Sequence, residues 1–266
     1  MTFSRRTWLA GLLGAAILLA GCATTAPPAA TPQERAALAP AGKLRVGVYN
    51  GSPTSMLTGK DGQKVGIAYE LGRGLAQRLG VPFEPVEFRR IAEVVDAMAK
   101  GEVDFTFTNA TEARAKVLDF TPVLVQVELG YLVPPGSTLQ NADEIDRPGM
   151  RVAVIQGGTT ASILSKSYRH AQVVQAASPE AAGAMLAQRR AEAFTTNKGI
   201  LFEVGDTIPG ARVLPGRWGL ENMAIGIPKG RDAGLPLLKQ YAADVRAQGT
   251  LRAAVQRAGL RGTVEP

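Results

Sequence analysis

The sequence contains one cysteine and one histidine, and both scarcities exclude classes of function. With Cys22 alone, no disulfide can form within the chain, and no cysteine cluster can hold a metal. The histidine, His170, lies in the polar stretch SYRHAQ, which is typical of a surface position. No Gly-x-Ser-x-Gly motif occurs, and the stretch GGTT lacks the lysine of a phosphate-binding loop. We therefore expect no enzyme and no metal or cofactor site.

Aromatic residues are also few, 6% of the chain, although basic residues outnumber acidic ones by 30 to 23. The basic residues are spread along the sequence, and no aromatic residues interleave with them as a base-stacking surface would require. We therefore expect no nucleic-acid partner.

The N-terminus lacks an apolar run long enough to span a membrane. Its run from Trp8 to Ala20 falls short of the roughly 20 residues that a span needs. Because Arg5 and Arg6 precede this run and small residues follow it, we assign residues 1–21 to a signal peptide. The stretch SRRTWL also resembles a twin-arginine export signal.

The segment after the signal suggests a membrane anchor. The sequence LAGC at 19–22 resembles the lipobox of bacterial lipoproteins, which implies a lipid on Cys22 that holds the protein at the periplasmic or cell-surface face of a membrane. An ordinary cleaved signal with an incidental cysteine is the alternative. Residues 22–42 are rich in Ala and Pro without periodicity, which predicts a flexible tether.

A pattern in the remaining residues, 43–266, occurs twice. LRVGVYNGSPTS at 44–55 and MRVAVIQGGTTAS at 150–162 share a basic residue, a Val-x-Val strand and a loop of small residues. IAEVVDAMAKGEVDFTFTN, ending at Asn109, likewise matches PEAAGAMLAQRRAEAFTTN, ending at Asn197. A repeated order of helix and strand predicts an α/β fold, and the length suits two lobes of about 100 residues each.

Apolar spacing predicts the individual elements. A period of 3.6 residues indicates a helix from Ile91 to Met98, a matching one that includes Ala182 to Arg189, and another through Leu71 that ends at Gly80. The alternation of Val103, Phe105 and Phe107 with polar residues predicts a half-buried strand.

Small polar residues follow the strands in both copies of the pattern. Ligands of open α/β sheets bind beyond the carboxyl ends of the strands, where loops and helix N-termini present unpaired backbone groups. These residues could instead serve only as turn formers and helix caps. The spacing predicts a polar cleft lined by Tyr49, Ser52, Thr108, Asn109, Thr159, Thr160 and Asn197.

The order of these motifs resembles a known family. LRVGVYNGSPTSM, GIAYELGRGLAQRLGVPFEPVEF, MRVAVIQGGTTAS and, above all, TEARAKVLDFTP are similar to the extracellular solute-binding proteins of family 3. The resemblance covers essentially all of 43–266. It implies the two-lobed type II periplasmic-binding fold, with a ligand cleft between lobes made of mixed sheets flanked by helices.

The resemblance also implies a lobe division and partners. The crossover strands are expected near 124–132 and 222–228, which gives one lobe from 43–127 with 223–266 and a second from 128–222. The family implies a monomeric receptor that binds an amino acid or a related small carboxylate and delivers it to an ABC permease in the inner membrane.

Arg114 is the residue to which the resemblance gives a ligand role. In the signature TEARAKVLDFTP, the family's arginine grips the ligand carboxylate, and Thr111 lies beside it at a helix start. A guanidinium can hold a carboxylate through two parallel hydrogen bonds. The alternative for Arg114 is a surface ion pair with Glu112 or Asp119.

Asn197 departs from the family, whose receptors for α-amino acids usually carry an aspartate there for the ligand ammonium. Either another acid substitutes, with Glu128 and Glu221 as candidates, or the ligand is not a standard α-amino acid; the neutral amide favours the second.

Two alternative functions are a dehydratase of the cyclohexadienyl type, which resembles the same family, and a sensory or scaffold lipoprotein without an importer.

Overall fold

The computed structural model describes residues 29–264. The strands are β1 (Leu44–Tyr49), β2 (Leu57–Thr58), β3 (Lys64–Val65), β4 (Phe83–Phe88), β5 (Thr106–Asn109), β6 (Leu118–Phe120), β7 (Val125–Val133), β8 (Arg151–Ile155), β9 (Gln172–Ala176), β10 (Ala193–Asn197), β11 (Arg212–Val213), β12 (Gly219–Pro228) and β13 (Thr263–Val264). The helices are α1 (Pro32–Leu38), α2 (Ile67–Leu79), α3 (Ile91–Ala99), α4 (Glu112–Ala115), α5 (Thr159–Ser167), α6 (Pro179–Ala187), α7 (Lys198–Asp206), α8 (Leu235–Ala247) and α9 (Thr250–Arg257), with 3-10 turns at Ala142–Glu144 and Asp232–Gly234.

The sheets repeat one strand order in two lobes. The second lobe has the order β9-β8-β10-β7, in which β7 runs antiparallel to the others. The first lobe has β4-β1, then β5 through a parallel bridge between Val46 and Phe105, then the antiparallel β12. Each lobe thus places its first strand between its second and third, so the doubled sequence pattern corresponds to a doubled topology.

The strands β7 and β12 join the two lobes. They pair antiparallel from Val125 opposite Met223 to Leu129 opposite Gly219, and both lie where the crossover strands are expected. Strand β12 also pairs with β5 of the first lobe and β7 with β10 of the second, so the two crossover strands connect the sheets of the lobes. The residue bounds of the lobes remain a prediction.

Helix α2 shows how the apolar face packs. Leu71, Leu75 and Leu79 are buried, and Gly80 ends the helix in the left-handed conformation with φ of 67°. At Gly72 a β-carbon would lie 2.6 Å from Val46, so the absence of a side chain lets the helix lie close on β1. Both helix and stop agree with the sequence prediction.

The repeated basic residue at the start of each Val-x-Val strand forms an equivalent ion pair. Arg45 binds Asp104 at 2.7 Å and donates to the carbonyl of Gly101, while Arg151 binds Glu192 at 2.7 Å and donates to the carbonyl of Arg189. These pairs lie at the amino ends of β1 and β8, away from the carboxyl ends. Their role is therefore structural.

Three sequence predictions need correction. The prediction of a flexible tether is wrong for residues 32–38, because these residues form α1. This helix is capped by Thr31 and Glu34, and its Leu38 is fully buried in the first-lobe core. The helix predicted to include Arg189 ends at Ala187, because Arg189 adopts φ of 54° beyond the helix end.

The prediction of a half-buried strand is also wrong, because all four residues of β5 are buried. Its polar side chains have partners inside the protein instead of water. The hydroxyl of Thr106 donates to the carbonyl of Gly47 at 3.1 Å, and Asp104 just before the strand pairs with Arg45 and with Arg231. An alternating pattern can therefore mark internal hydrogen bonds as well as exposure.

Candidate functional site

A small cavity of about 30 Å³ lies between the two lobes at the carboxyl ends of their strands. The space suits about two water molecules, so this conformation of the cleft is narrow. The cavity is lined by Tyr49, Ile91, Thr108, Asn109, Arg114, Ile155, Gly158, Thr159, Thr160, Thr196, Asn197, Ile200, Glu221 and Met223.

Most of the sequence-predicted site residues line this cavity, and two do not. Ser52 is fully buried behind Tyr49, whose hydroxyl donates to Ser52 Oγ at 3.4 Å, and Ser52 Oγ also contacts Thr54. Thr111 caps α4, because its side chain accepts from the backbone N–H of Arg114 at 3.2 Å. Ser52 and Thr111 therefore support residues of the wall.

Arg114 is buried in the wall of the first lobe, with 9% of its surface exposed. Its Nη1 donates to Thr108 Oγ1 at 2.6 Å and to the carbonyl of Asn109 at 3.2 Å. Burial lowers the pKa of the guanidinium, and the Glu221 carboxylate opposes that effect. Asp119 pairs with Lys229 instead, so the alternative of a surface ion pair between Arg114 and Asp119 is wrong. Within residues 29–264, Arg114 forms no ion pair, so the alternative of an ion pair with Glu112 is wrong as well.

Asn197 uses both ends of its side-chain amide within the protein. It caps α7, where Oδ1 accepts from the backbone N–H of Ile200 at 3.1 Å. Its Nδ2 donates to Glu221 Oε2 at 2.9 Å. Asn109 is similarly engaged, since its Oδ1 accepts from the backbone N–H of Asn222 at 2.9 Å. Both asparagines therefore hold the wall together at the strand ends.

Glu221 contributes a buried carboxyl group to the cavity from β12, with 8% of its surface exposed. Burial raises the pKa of this carboxyl, while Arg114 and the hydrogen bond from Asn197 oppose the rise. Glu128, the other acidic candidate, pairs with Lys198 at 2.5 Å and with Arg217 at 3.2 Å outside the cavity lining. The sequence leaves Glu128 and Glu221 as alternative acids that could replace an aspartate at position 197. Of the two, Glu221 lies in the cavity wall and Glu128 does not.

The rest of the wall consists of apolar side chains, of Thr196 on β10 and of a helix start. Sequence analysis missed Ile91, Ile155, Ile200 and Met223. Ile155 could have been found, because it ends β8 as Tyr49 ends β1 in the doubled pattern. Helix α5 begins at Thr159 without a side-chain cap from Gly158, so its first N–H groups add positive potential to this end of the cavity.

Residues 44–259 match the profile of the bacterial extracellular solute-binding proteins, family 3. The chain belongs to this family. The match spans both copies of the doubled pattern and nearly all of the described structure, which confirms the resemblance carried by the TEARAKVLDFTP signature.

Relatives of this family 3 protein include a binding protein and a larger enzyme. The glutamine-binding protein of Geobacillus stearothermophilus is 25% identical over 193 residues, which cover 71% of this chain and 73% of that protein. The membrane-bound lytic murein transglycosylase F of Vibrio cholerae is 35% identical over 116 residues, 44% of this chain. The alignment spans about a fifth of the transglycosylase, 20% of its length.

Solved structures agree on the fold of this family 3 protein. The solute receptor for L-cysteine of Neisseria gonorrhoeae superposes with a TM-score of 0.75 at 24% identity, covering 84% of this chain and 92% of the receptor. At 24% identity the structural similarity shows the fold alone. It confirms the two-lobed α/β architecture expected from the sequence.

Two further properties of this family 3 protein bear on its chemistry. From residue 29 to residue 264, no group of histidine, cysteine, aspartate and glutamate side chains is arranged to hold a metal ion. Over the same residues, no helix combines the length and apolar character needed to cross a bilayer.

Proposed function

We propose that this protein is the substrate-binding receptor of an ABC importer, which captures a small carboxylate-bearing solute in the periplasm and delivers it to a permease. The observation that carries the proposal is Arg114, a guanidinium buried in an interlobe cavity without an ion-pair partner among residues 29–264. A buried charge is costly unless a counter-ion reaches it. A carboxylate on the solute would be that counter-ion.

The geometry of Arg114 suits a carboxylate. Within residues 29–264 its side chain donates hydrogen bonds through Nη1 alone, so Nε and Nη2 can donate to a ligand. Two parallel charge-assisted hydrogen bonds from a guanidinium hold a carboxylate strongly and in one orientation. The start of α5 on the opposite wall adds favourable potential for the same anion.

Closure of the lobes would couple binding to delivery. We assign 43–127 with 223–266 to one lobe and 128–222 to the other, joined by β7 and β12. A solute that touches both walls binds the closed state more tightly than the open one, and it therefore shifts that equilibrium. A monomer is sufficient for this mechanism, because the cavity wall comes from one chain.

Substitution of Arg114 tests the receptor function. Arg114→Lys keeps the charge but loses the planar fork, and it should weaken binding of carboxylate solutes. Arg114→Ala should cost more, about 2 to 5 kcal/mol of binding free energy, because it removes one side of a buried charge pair. A thermal-shift screen with amino acids and small carboxylates, followed by calorimetric titration, measures both effects.

The matched control is Arg89→Ala, since the Arg89 side chain is 77% exposed and pairs with Glu93 in the first turn of α3. That variant should bind as the wild type does. Unchanged affinity in both Arg114 variants would contradict the receptor proposal.

We also propose a lipid anchor on Cys22, following a signal peptide at 1–21; these residues lie outside the described part of the chain. The support is the LAGC sequence at 19–22. Cys22→Ser should move the exported protein from the membrane fraction to the soluble periplasmic fraction on cell fractionation. A variant that stays with the membranes, together with a wild type that carries no acyl mass, would show that no lipid holds it.

One observation favours a second function. A buried carboxyl group with a raised pKa, such as Glu221, has the property of a general acid, and it lies in one cavity with Arg114. A cyclohexadienyl-dehydratase activity on this fold would use such a group. Incubation with prephenate or arogenate separates the two functions, because a receptor leaves either compound unchanged.

A sensory or scaffold role has separate support. The match to part of a lytic transglycosylase indicates that related segments occur in proteins with other architectures. Genes for a permease and an ATPase next to the gene for this protein would favour the importer, and their absence would favour the sensor.

A further inference from the structure

We propose that the surface of the first lobe formed by α2, α8 and α9, here called the α2/α8/α9 face, binds the anionic headgroups of a lipid bilayer. The anchored protein then lies on the membrane in one orientation. This inference goes beyond solute binding, and it takes from the proposed function only the lipid on Cys22.

The first argument is the distribution of charge over the folded protein. Without Arg5 and Arg6 of the signal peptide, the formal charge of +7 becomes +5. Helices α2, α8 and α9 carry six basic and two acidic residues, so they account for +4 of this excess. Helix α9 packs against both α2 and α8, which brings these charges to one part of the surface. A concentrated positive charge of this kind attracts an anionic membrane.

The second argument is that the acids of this face are already paired, whereas most of its cations are not. Glu70 pairs with Arg257, and Asp244 pairs with Arg78. Four exposed basic side chains form no ion pair within residues 29–264: Arg73, Lys239, Arg246 and Arg252. These side chains are therefore free to pair with lipid phosphates.

The third argument is that two of these cations border an apolar groove beside α9. The groove lining includes Arg246 and Arg252, and it contains no acidic residue. Leu251 and Val255 form part of its apolar floor. Arginine lays its carbon stem along apolar surface while its guanidinium reaches polar groups. Such a surface suits the headgroup region of a bilayer, where charged and apolar groups meet.

The fourth argument is the place where the anchored chain enters the fold. Ala30 is buried in the first-lobe core, and its carbonyl accepts from Arg35 Nη2 at 2.9 Å. Ala29 lines a groove between α2 and α8, beside Gln248 at the end of α8. Because Ala29 is the seventh residue after Cys22, the chain between them spans at most about 25 Å. A lipid on Cys22 would therefore keep the α2/α8/α9 face close to the bilayer.

The contact would orient the protein, while the lipid would retain it. Charge contacts weaken as salt screens them, whereas an acyl chain stays in the bilayer. A wash in about 1 M salt therefore releases a chain held by charge alone, and fractionation of Cys22→Ser after such a wash still tests the anchor.

The test is sedimentation of the mature chain, residues 22–266 with Cys22→Ser, together with lipid vesicles. This chain keeps all the helices and strands of the structure. One set of vesicles contains phosphatidylglycerol and phosphatidylcholine in equal parts, and the other contains phosphatidylcholine alone. At about 0.01 M salt we expect at least about 10-fold tighter binding to the anionic vesicles, and about 1 M salt should release the protein.

Charge reversal identifies the part of the surface that binds. Arg246→Glu combined with Arg252→Glu should weaken binding to the anionic vesicles by about 30-fold or more, because each basic residue near the surface contributes about 5-fold. The matched control combines Lys166→Glu with Arg190→Glu, which changes the net charge equally on the second lobe. Both control residues are exposed and form no ion pair within residues 29–264. The control should bind nearly as the parent chain does.

None of these four substitutions touches the lining of the interlobe cavity. Both double variants should therefore keep the thermal unfolding and the solute binding of the parent chain.

A dye on an introduced cysteine tests the orientation. Because Cys22 is the single cysteine of the sequence, the Cys22→Ser chain can be labelled at Gln248→Cys or at Ser167→Cys alone. Both positions are exposed, the first at the end of α8 and the second at the end of α5. Anionic vesicles should shift the emission of an environment-sensitive dye at position 248 and leave the emission at position 167 unchanged.

The outcomes separate this inference from the proposed function. No binding to the anionic vesicles, equal binding to both kinds of vesicle, equal losses in the two double variants, or equal dye responses would overturn the membrane face. The receptor proposal depends instead on the solute affinity of the Arg114 variants. The lipid anchor depends on the acyl mass at Cys22, which the vesicle experiments do not measure.

Discussion

At the scale of single residues, the site is defined by two buried ionisable side chains, Arg114 and Glu221. The local sequence identifies the first, whereas the second is placed in the site by strand pairing. Arg114 could be found in the sequence, because its motif is local and its neighbours Thr108 and Thr111 lie within a few residues. Glu221 could not be singled out in this way. It reaches the cavity through the pairing of β12 with β5 and β7, strands that lie far earlier in the chain.

The buried carboxyl of Glu221 predicts a pH dependence of stability. Its pKa is raised above the ordinary value of 4.5 because it is buried, with Arg114 and Tyr49 as the nearby titratable groups. As the pH rises above that value, the unfolded chain releases the proton while the folded protein keeps it. Stability should therefore fall until the pH exceeds the raised pKa, and it should then level off.

Chemical denaturation from about pH 3 to about pH 8 measures this effect as the difference in unfolding free energy between wild type and Glu221→Gln. The difference should fall as the pH rises. Glu128→Gln serves as the contrast, because the hydrogen bond from Lys198 lowers the pKa of Glu128 below its ordinary value of 4.5. Its difference should rise at the acidic end of the range and level off above that value. A flat curve for Glu221→Gln would show that the carboxyl titrates normally.

At the scale of elements, the lobes meet through helix starts and glycine loops on each side of the cavity. Gly157, after β8, would place a β-carbon 2.6 Å from Ala92 at the start of α3, and Gly51, after β1, lies against Glu180 at the start of α6. The two contacts are equivalent in the doubled pattern. Each joins the first loop of one lobe to the second main helix of the other.

These contacts predict that Ala92→Leu weakens solute binding without lowering the stability of either lobe. The larger side chain would meet the Gly157 loop in the closed state, and overpacking costs about 1 to 3 kcal/mol. Affinity should fall by about 5-fold to 100-fold in titration calorimetry. Ala99→Leu, an exposed change at the other end of α3, should leave affinity unchanged. Equal affinities in the two variants would mean that the helix start takes no part in closure.

The elements also show where sequence reasoning succeeds and fails. Helix α2 and its stop at Gly80 follow from local apolar spacing and from a residue that tolerates the left-handed conformation. Helix α1 was missed because its seven residues are too few to show a period, although the Thr31 and Glu34 capping box marks its start. Its Leu38 packs against Gly234, about 200 residues later in the chain. Contacts of that range leave no trace in a local pattern.

At the scale of the whole molecule, two similar lobes share a pair of crossover strands and enclose a cavity in which each lobe supplies part of the wall. The first lobe contributes Arg114, the second contributes Thr159, Thr160 and Asn197, and β12 contributes Glu221 between them. A solute held by all of these groups would join the lobes. Recognition and closure would then be one event.

The most direct test of this account is a crystal structure of the protein with the carboxylate-bearing solute that binds it most tightly. We predict that the solute carboxylate accepts hydrogen bonds from Nε and Nη2 of Arg114 inside the interlobe cavity. A solute whose carboxylate lies away from Arg114, or that binds outside the interlobe cavity, would contradict the account.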